Sequence, residues 1–266
     1  MANGLSRRAV LAAGPAAMFV LSVARTEGET SVEGAKVWGS FPSHDPELVA
    51  KAVGAAHGRL DQLRALVDPM PELAKAAYDW GYGDWEDCIG AASHVGSREC
   101  ALYLLERGAR PTLFTHAMLG HVEVVKATIG AQPGIERLAG PHGISLLRHA
   151  QAGGEQAKAV VEYLDQLGVT PPEPEQLTEE RAKPFIGEYS FGPAADERFI
   201  VEMTKMGLAI SRSGFPSRRM TLNGGSEFHP VGARSVLLRF TLESGRATSV
   251  SVHGMGEVVV ARRVGV

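Results

Sequence analysis

The chain is short of cysteine, of aromatic residues, of any charge excess and of long apolar runs, and each shortage removes a class of protein. Only Cys88 and Cys100 occur in 266 residues, so a disulfide-stapled scaffold is excluded and the fold must rest on buried apolar area. Both are expected as packing groups of one helix pair. Lysine and arginine number 27 against 30 acidic residues, a net charge of −3. No basic field exists to hold a phosphate backbone, so nucleic acid is not an expected partner. The uncharged run from Ala9 to Ala24 is shorter than the roughly 20 residues that cross a hydrocarbon core, which argues against a stable membrane span. Familiar catalytic motifs are missing too. No lysine follows a serine at the third place, no serine sits in Gly-x-Ser-x-Gly, and no glycine-rich phosphate loop occurs. The chain is therefore read as a non-enzyme without a cofactor.

What is present begins at the N-terminus. Arg7-Arg8 lead directly into Ala9 to Leu21, and small residues follow at Ser22-Val23-Ala24, the layout of a secretory signal. Ser6-Arg7-Arg8-Ala9-Val10-Leu11 resembles a twin-arginine signal. The resemblance implies cleavage near Ala24 and a periplasmic or other extracytoplasmic location. Residues 25–43, with Gly28, Gly34, Gly39 and Pro42 but no sustained period, read as a tether.

From Asp45 the pattern becomes helical blocks closed by glycine or proline. Aligning Gly58, Gly96, Gly120 and Gly153 gives four copies with a small residue three places earlier: Ala55, Ser93, Ala117 and Ala150. A short side chain there lets neighbouring first helices approach, and the glycine permits the turn into the second. The second helices carry apolar stripes such as Leu60, Leu63 and Leu66, or Val122, Val125 and Ile129. Residues 44–169 resemble the ankyrin repeat, most closely at Gly120-His121-Val122-Glu123-Val124-Val125-Lys126 and at Leu104-Leu105-Glu106-Arg107-Gly108-Ala109. The closing glycines are 38, 24 and 33 residues apart, so only the last interval matches the ankyrin length of about 33.

Pro171-Pro172-Glu173-Pro174 cannot continue a helix and marks a linker over 170–182. Beyond it the period changes to two, with Phe199, Val201 and Met203, then Leu208 and Ile210, then Val236, Leu238, Phe240 and Leu242, then Val250 and Val252, then Val258 and Val260 on one face. Turn residues interrupt these runs every 8 to 12 residues or so. The expectation for 183–265 is an antiparallel β-barrel of about eight strands. Phe185-Ile186-Gly187-Glu188-Tyr189, Phe228-His229-Pro230 and the final Ala261-Arg262-Arg263-Val264 are similar to the small lipocalin-like β domains appended to exported serine hydrolases of the β-lactamase kind. The overall reading is an α+β multidomain chain with an ankyrin-like α-solenoid ahead of the barrel.

Six histidines, His57, His94, His116, His121, His142 and His149, fall in the repeats. His116 and His149 occupy equivalent places. Stacked helices lie about 8–10 Å apart and a zinc site needs further ligands about 2.1 Å from the ion, so capping or stacking roles are expected and no metal. Trp80, Tyr82, Asp84 and Trp85 stand close together, with Gly81 and Gly83 on either side of Tyr82. They form either a recognition edge with Tyr82 at the tip, or a cap on the repeats in which Trp80 and Trp85 pack and Asp84 starts the next helix. With His94 and with His142 in Gly140-Pro141-His142-Gly143, these are the candidate binding residues. The expected function is an exported protein-protein interaction or scaffold module. The alternative is a small-ligand-binding protein, or an accessory module of an envelope hydrolase, with a ligand in the barrel or against the Trp80 loop.

Overall fold

In the computed structural model, Asp45 starts the first helix by accepting a hydrogen bond from the Glu47 N–H at 2.8 Å, with Pro46 in the first turn. Residues 39, 41–169, 177–254 and 256–265 are described. The expected signal, most of the tether and the Pro171-Pro172-Glu173-Pro174 run lie outside them.

Helices α1 (Pro46–Ala56) and α2 (Leu60–Val67) form a first pair, followed by a 3-10 turn over Pro71–Lys75 and a short hairpin of β1 (Ala77–Asp79) and β2 (Trp85–Asp87). Three more pairs come next: α3 (Cys88–His94) with α4 (Arg98–Glu106), α5 (Leu113–Leu119) with α6 (Val122–Ala131), and α7 (Leu146–Ala152) with α8 (Lys158–Gln166). The first helices pack in a row, α1 on α3, α3 on α5 and α5 on α7. The small residues expected at that seam, Ala55, Ser93, Ala117 and Ala150, are all buried. Cys88 and Cys100 are buried and unbridged.

One contact departs from a linear array. Helix α3 also packs on α7, whereas in a simple repeat stack each unit touches only its neighbours. Gly96, at φ 73°, brings the turn after α3 so close that a Cβ would lie 2.1 Å from the Ala152 carbonyl oxygen. The short interval between Gly96 and Gly120 explains the approach. No hairpin precedes α5, so the Pro141–Gly143 turn ahead of α7 reaches the β1–β2 hairpin ahead of α3.

After a single turn, α9 (Glu179–Ala182), eight antiparallel strands close a barrel: β3 (Gly187–Ser190), β4 (Arg198–Thr204), β5 (Gly207–Arg212), β6 (Arg218–Gly224), β7 (Glu227–Pro230), β8 (Leu237–Glu243), β9 (Arg246–Gly254) and β10 (Glu257–Arg263). Each pairs with the next, and β10 returns to β3, so no edge is left open. The interior is filled rather than hollow. Phe185, Phe228 and Phe240 meet with ring centroids 4.9–5.5 Å apart, and Leu238 and Phe199 are buried with them.

Strand β10 reverses the expected facing. Ala261 stands opposite buried Val250, and directly paired residues share a face. Ala261 and Arg263 therefore point inward, while Val258 and Val260 are more than half exposed. Inside the barrel the Arg263 guanidinium donates to the carbonyls of Ala247, Ile186 and Pro184 and to the Tyr189 hydroxyl, which in turn donates to the Phe185 carbonyl. A planar fork satisfies these acceptors together; an ammonium does not. Arg263→Lys is therefore expected to lower stability by about 2 kcal/mol in urea unfolding, since buried acceptors left unpaired cost about 1–3 kcal/mol. An unchanged midpoint would mean that the fork contributes nothing.

Candidate metal centre

Four side chains converge where the α3 end of the stack meets the barrel. His57 lies just past the end of α1, Glu86 in the middle of β2, His94 at the last residue of α3 and His142 in the 3-10 turn before α7. One ligand atom from each lies within 4.8 Å of the other three. Close contacts run from His94 Nε2 to Glu86 Oε1 at 2.9 Å, His142 Nε2 to the same oxygen at 3.2 Å, His57 Nε2 to Glu86 Oε2 at 3.5 Å and His94 Nε2 to His57 Nε2 at 3.1 Å. Glu86 is fully buried, and His94, His142 and His57 show 10%, 23% and 28% of their side chains.

The outer atoms are already held. His57 Nδ1 contacts the carbonyl oxygens of Val53 at 3.1 Å and Gly54 at 3.3 Å. Donating there leaves Nε2 as a bare lone pair. His142 Nδ1 lies 2.7 Å from Asp84 Oδ2, the carboxylate-histidine arrangement that orients metal-bound imidazoles. Trp80 Nε1 donates to Glu86 Oε2 at 2.7 Å, while Glu86 Oε1 is buried without a partner of hydrogen-bond geometry among the described residues. Glu86 Oε1 and the imidazole Nε2 atoms of His94 and His142 thus face one another at 2.9 and 3.2 Å.

Asp84 is the hub between stack and barrel. Its Oδ1 accepts the His142 backbone N–H at 2.9 Å, and Oδ2 meets Arg218 Nη1 from β6 at 2.8 Å. The Arg218 Nε donates to the Trp80 carbonyl. Gly232, in the loop after β7 at φ 90°, presses on the carboxylate: a Cβ there would lie 2.6–2.8 Å from its atoms. Tyr82 and His142 both adopt left-handed backbone, at φ 61° and 57°. Such conformations cost non-glycine residues about 1–2 kcal/mol and persist where surrounding contacts overdetermine them.

Electrostatics follow from this packing. Burial works against ionising Glu86, but the contacts of His142 and His94 outweigh it and hold the carboxyl at about 2. Burial likewise disfavours charge on His142, yet Asp84 and Glu86 on either side raise it to about 9. Asp84 is held below the ordinary carboxylate range by His142 and Arg218 in spite of burial. His57 is pushed down by burial, as is deeper His149, to about 4. A cation entering here meets one carboxylate and three imidazoles, and must displace the His142 proton.

Of the residues singled out from sequence, Trp80, Asp84, His94 and His142 come together here. Tyr82 and Trp85 do not. Tyr82 leaves the centre to pack on the barrel core, and is no free loop tip; Trp85 is 63% exposed rather than packed as a cap. Asp84 does not start α3 either, because Asp87 takes that role by accepting the Gly90 N–H at 2.7 Å. The argument that helix spacing keeps imidazoles apart fails for His57, His94 and His142, which reach the centre from helix ends and a turn. His116 pairs instead with His121, and His149 Nδ1 with the Ser145 carbonyl. Sequence reasoning set His57 aside as a capping or stacking histidine and missed Glu86 and Arg218. One signal was available: His57 and His94 stand one and two places before their closing glycines, at the same end of successive first helices.

No family model matches the chain, and no curated protein matches it. Among solved structures, one of SurE with D-Leu aligns with a TM-score of 0.26 at 18% identity, over 44% of this chain and 28% of that one. A second SurE structure aligns at 0.25 with the same identity and coverage. The chain thus spans less than a third of the length of these structures, and likeness at this level assigns neither a fold nor a function.

Proposed function

We propose that the chain is a metal-binding protein whose ankyrin-like repeats and capping barrel loop hold one divalent first-row transition ion at His57, Glu86, His94 and His142. The observation that carries this reading is the convergence of four ligand atoms from four separate elements, none more than 4.8 Å from another. Two ligands about 2.1 Å from a tetrahedral ion lie about 3.4 Å apart, and at most about 4.2 Å apart across it. The observed contacts of 2.9–3.5 Å fit the first distance, and the widest pair, at up to 4.8 Å, closes by about 1.4 Å on loading to reach tetrahedral spacing. Three imidazoles with one carboxylate suit zinc, iron, nickel or copper better than magnesium or calcium. Export by a twin-arginine route, which carries folded cargo, is in keeping with a centre loaded before translocation.

The test is metal content after chelator treatment and reloading with zinc. Wild type is expected to retain one equivalent through gel filtration, and Glu86→Gln and His94→Ala to retain almost none while remaining folded by circular dichroism. Zinc at one hundred times its dissociation constant stabilises the native state by about 2.7 kcal/mol, visible as a raised melting temperature in wild type alone. Equal retention by all three proteins would refute the site.

A second reading, the protein-interaction module, draws on Trp85, exposed over 63% of its surface beside the centre. An exposed tryptophan is a frequent interface anchor, and Trp85 sits on the same hairpin as Glu86.

A further inference from the structure

The metal centre borders a cleft of about 430 Å³ whose lining includes Gly54, His57, Arg59, Trp80, His142 and Arg218. That volume falls near the lower end of small-molecule sites, roughly 300–1,000 Å³.

Two guanidinium groups line the cleft, and only that of Arg218 meets a carboxylate among the described residues. Arg218 spends Nη1 on Asp84 and Nε on the Trp80 carbonyl, yet its Nη2 has no hydrogen-bond partner among the described residues although it is buried. A buried donor left unpaired is destabilising until an acceptor satisfies it. Arg59 makes no side-chain hydrogen bond or ion pair with any described residue, and its Nη2 lies over Gly54, 3.3 Å from where a Cβ would stand. Glycine at this place leaves room for the guanidinium across the cleft floor. A bound divalent ion, Arg59 and Arg218 supply four positive charges, against two negative ones from Glu86 and Asp84. A small anion would offset that excess, while the Trp80 indole gives the cleft an apolar side.

We infer that this cleft binds a small oxyanion, a carboxylate or phosphate group, that enters as a fifth ligand of the metal ion and pairs with Arg59. The inference rests on the metal-binding reading above. Arginine suits the role because its planar fork matches both anions with two parallel hydrogen bonds. A second cation-lined face within reach of the centre is not needed: His57 and His142 are ligands of the ion and walls of the cleft at once.

The experiment uses the full chain loaded with cobalt(II), whose visible spectrum responds to a new oxygen ligand, titrated separately with glycolate and with inorganic phosphate. Cobalt stoichiometry is measured on the same samples before and after titration. Wild type is expected to give a saturable spectral change with one of the two anions, which identifies the source, while Arg59→Met loads cobalt equally but binds that anion at least about tenfold more weakly, as loss of a charged hydrogen bond predicts. If cobalt loads and is retained but neither anion changes the spectrum, or if Arg59→Met binds as tightly as wild type, the oxyanion inference is wrong and the metal centre stands. If cobalt fails to load, both readings fall together.

Discussion

Asp84→Ala is expected to cost the metal-free protein about 3–5 kcal/mol of folding stability, the loss seen when one partner of a buried charge network is removed. Three bonds vanish at once. The Arg218 guanidinium, only 12% exposed, loses its one carboxylate partner among the described residues, and the His142 turn loses the acceptor for both its backbone N–H and its Nδ1. Because that turn is held in left-handed backbone at φ 57°, only the contact of His142 Nε2 with Glu86 Oε1 at 3.2 Å is left, among the described ion pairs, to keep it against β2. Asp84→Asn, which preserves shape and one acceptor, should lose less. The pH dependence gives a second readout. His142 is raised from 6.5 to about 9 in the folded state, so the stability it contributes is complete below pH 6.5 and is lost as pH rises through about 9. The lowered Asp84 value describes the same interaction from its other partner and is counted once; its contribution is present above the ordinary carboxyl value of 3.8 and is lost on acidification below it. Wild type should therefore become less stable on the alkaline side, and Asp84→Ala should show a flatter profile there. A urea midpoint shifted by less than the equivalent of about 1 kcal/mol would place Asp84 among surface-type ion pairs, and the hub described for it would be mistaken.

The two halves of the chain differ in how much of this arrangement their sequences disclose, and the reason is the distance over which each feature is encoded. Local periodicity reports local structure. Alternation from Phe199 onward and the recurrent turn glycines lead to the eight-stranded barrel, and the small residues at Ala55, Ser93, Ala117 and Ala150 mark the buried helix seam. On β10 the alternation misleads, because valines at Val258, Val259 and Val260 leave both faces equally apolar, and only the pairing of Ala261 with Val250 sets the facing. The candidate metal centre is encoded over a longer range still. Glu86 and His142 are 56 residues apart in sequence, and they meet because a short helix pair intervenes without a hairpin of its own. That consequence of the irregular 24-residue spacing is a matter of three-dimensional packing, invisible to a search for paired ligands along one helix. Arg218 is further removed, contributed by β6 of the barrel. Conversely, the aromatic cluster was legible as a cluster but not in its division of labour: Trp80 serves the carboxylate, Trp85 faces outward, and Tyr82 crosses to the barrel.

That crossing leads to the second large effect. Tyr82→Ala is expected to destabilise the protein by about 3 kcal/mol, the low end of the range for truncating a buried aromatic, because its ring is partly rather than wholly enclosed where it packs on the barrel core. Burial is deep enough to push the phenol up to about 12. The hairpin delivers the ring in a fixed pose. Asp79 Oδ1 accepts the N–H groups of Gly81 and Gly83 at 2.8 and 3.1 Å, and the Asp84 N–H donates to the Gly81 carbonyl at 3.2 Å. Between two glycines in left-handed backbone, Tyr82 is itself left-handed at φ 61°, so its side chain is aimed by the loop rather than by rotamer choice. Tyr82→Phe should be nearly neutral, within about 1 kcal/mol, since the ring is retained and the phenol oxygen makes no hydrogen bond to a described residue. Removing the ring also frees the hairpin tip two residues before Asp84, so Tyr82→Ala should weaken zinc retention as well, by loosening the carboxylate that orients His142. Zinc retention measured on the folded fraction, alongside urea unfolding, separates the two consequences. Unchanged stability in Tyr82→Ala would show that the hairpin does not depend on the barrel, and the metal centre would then have to be organised by the helical stack alone.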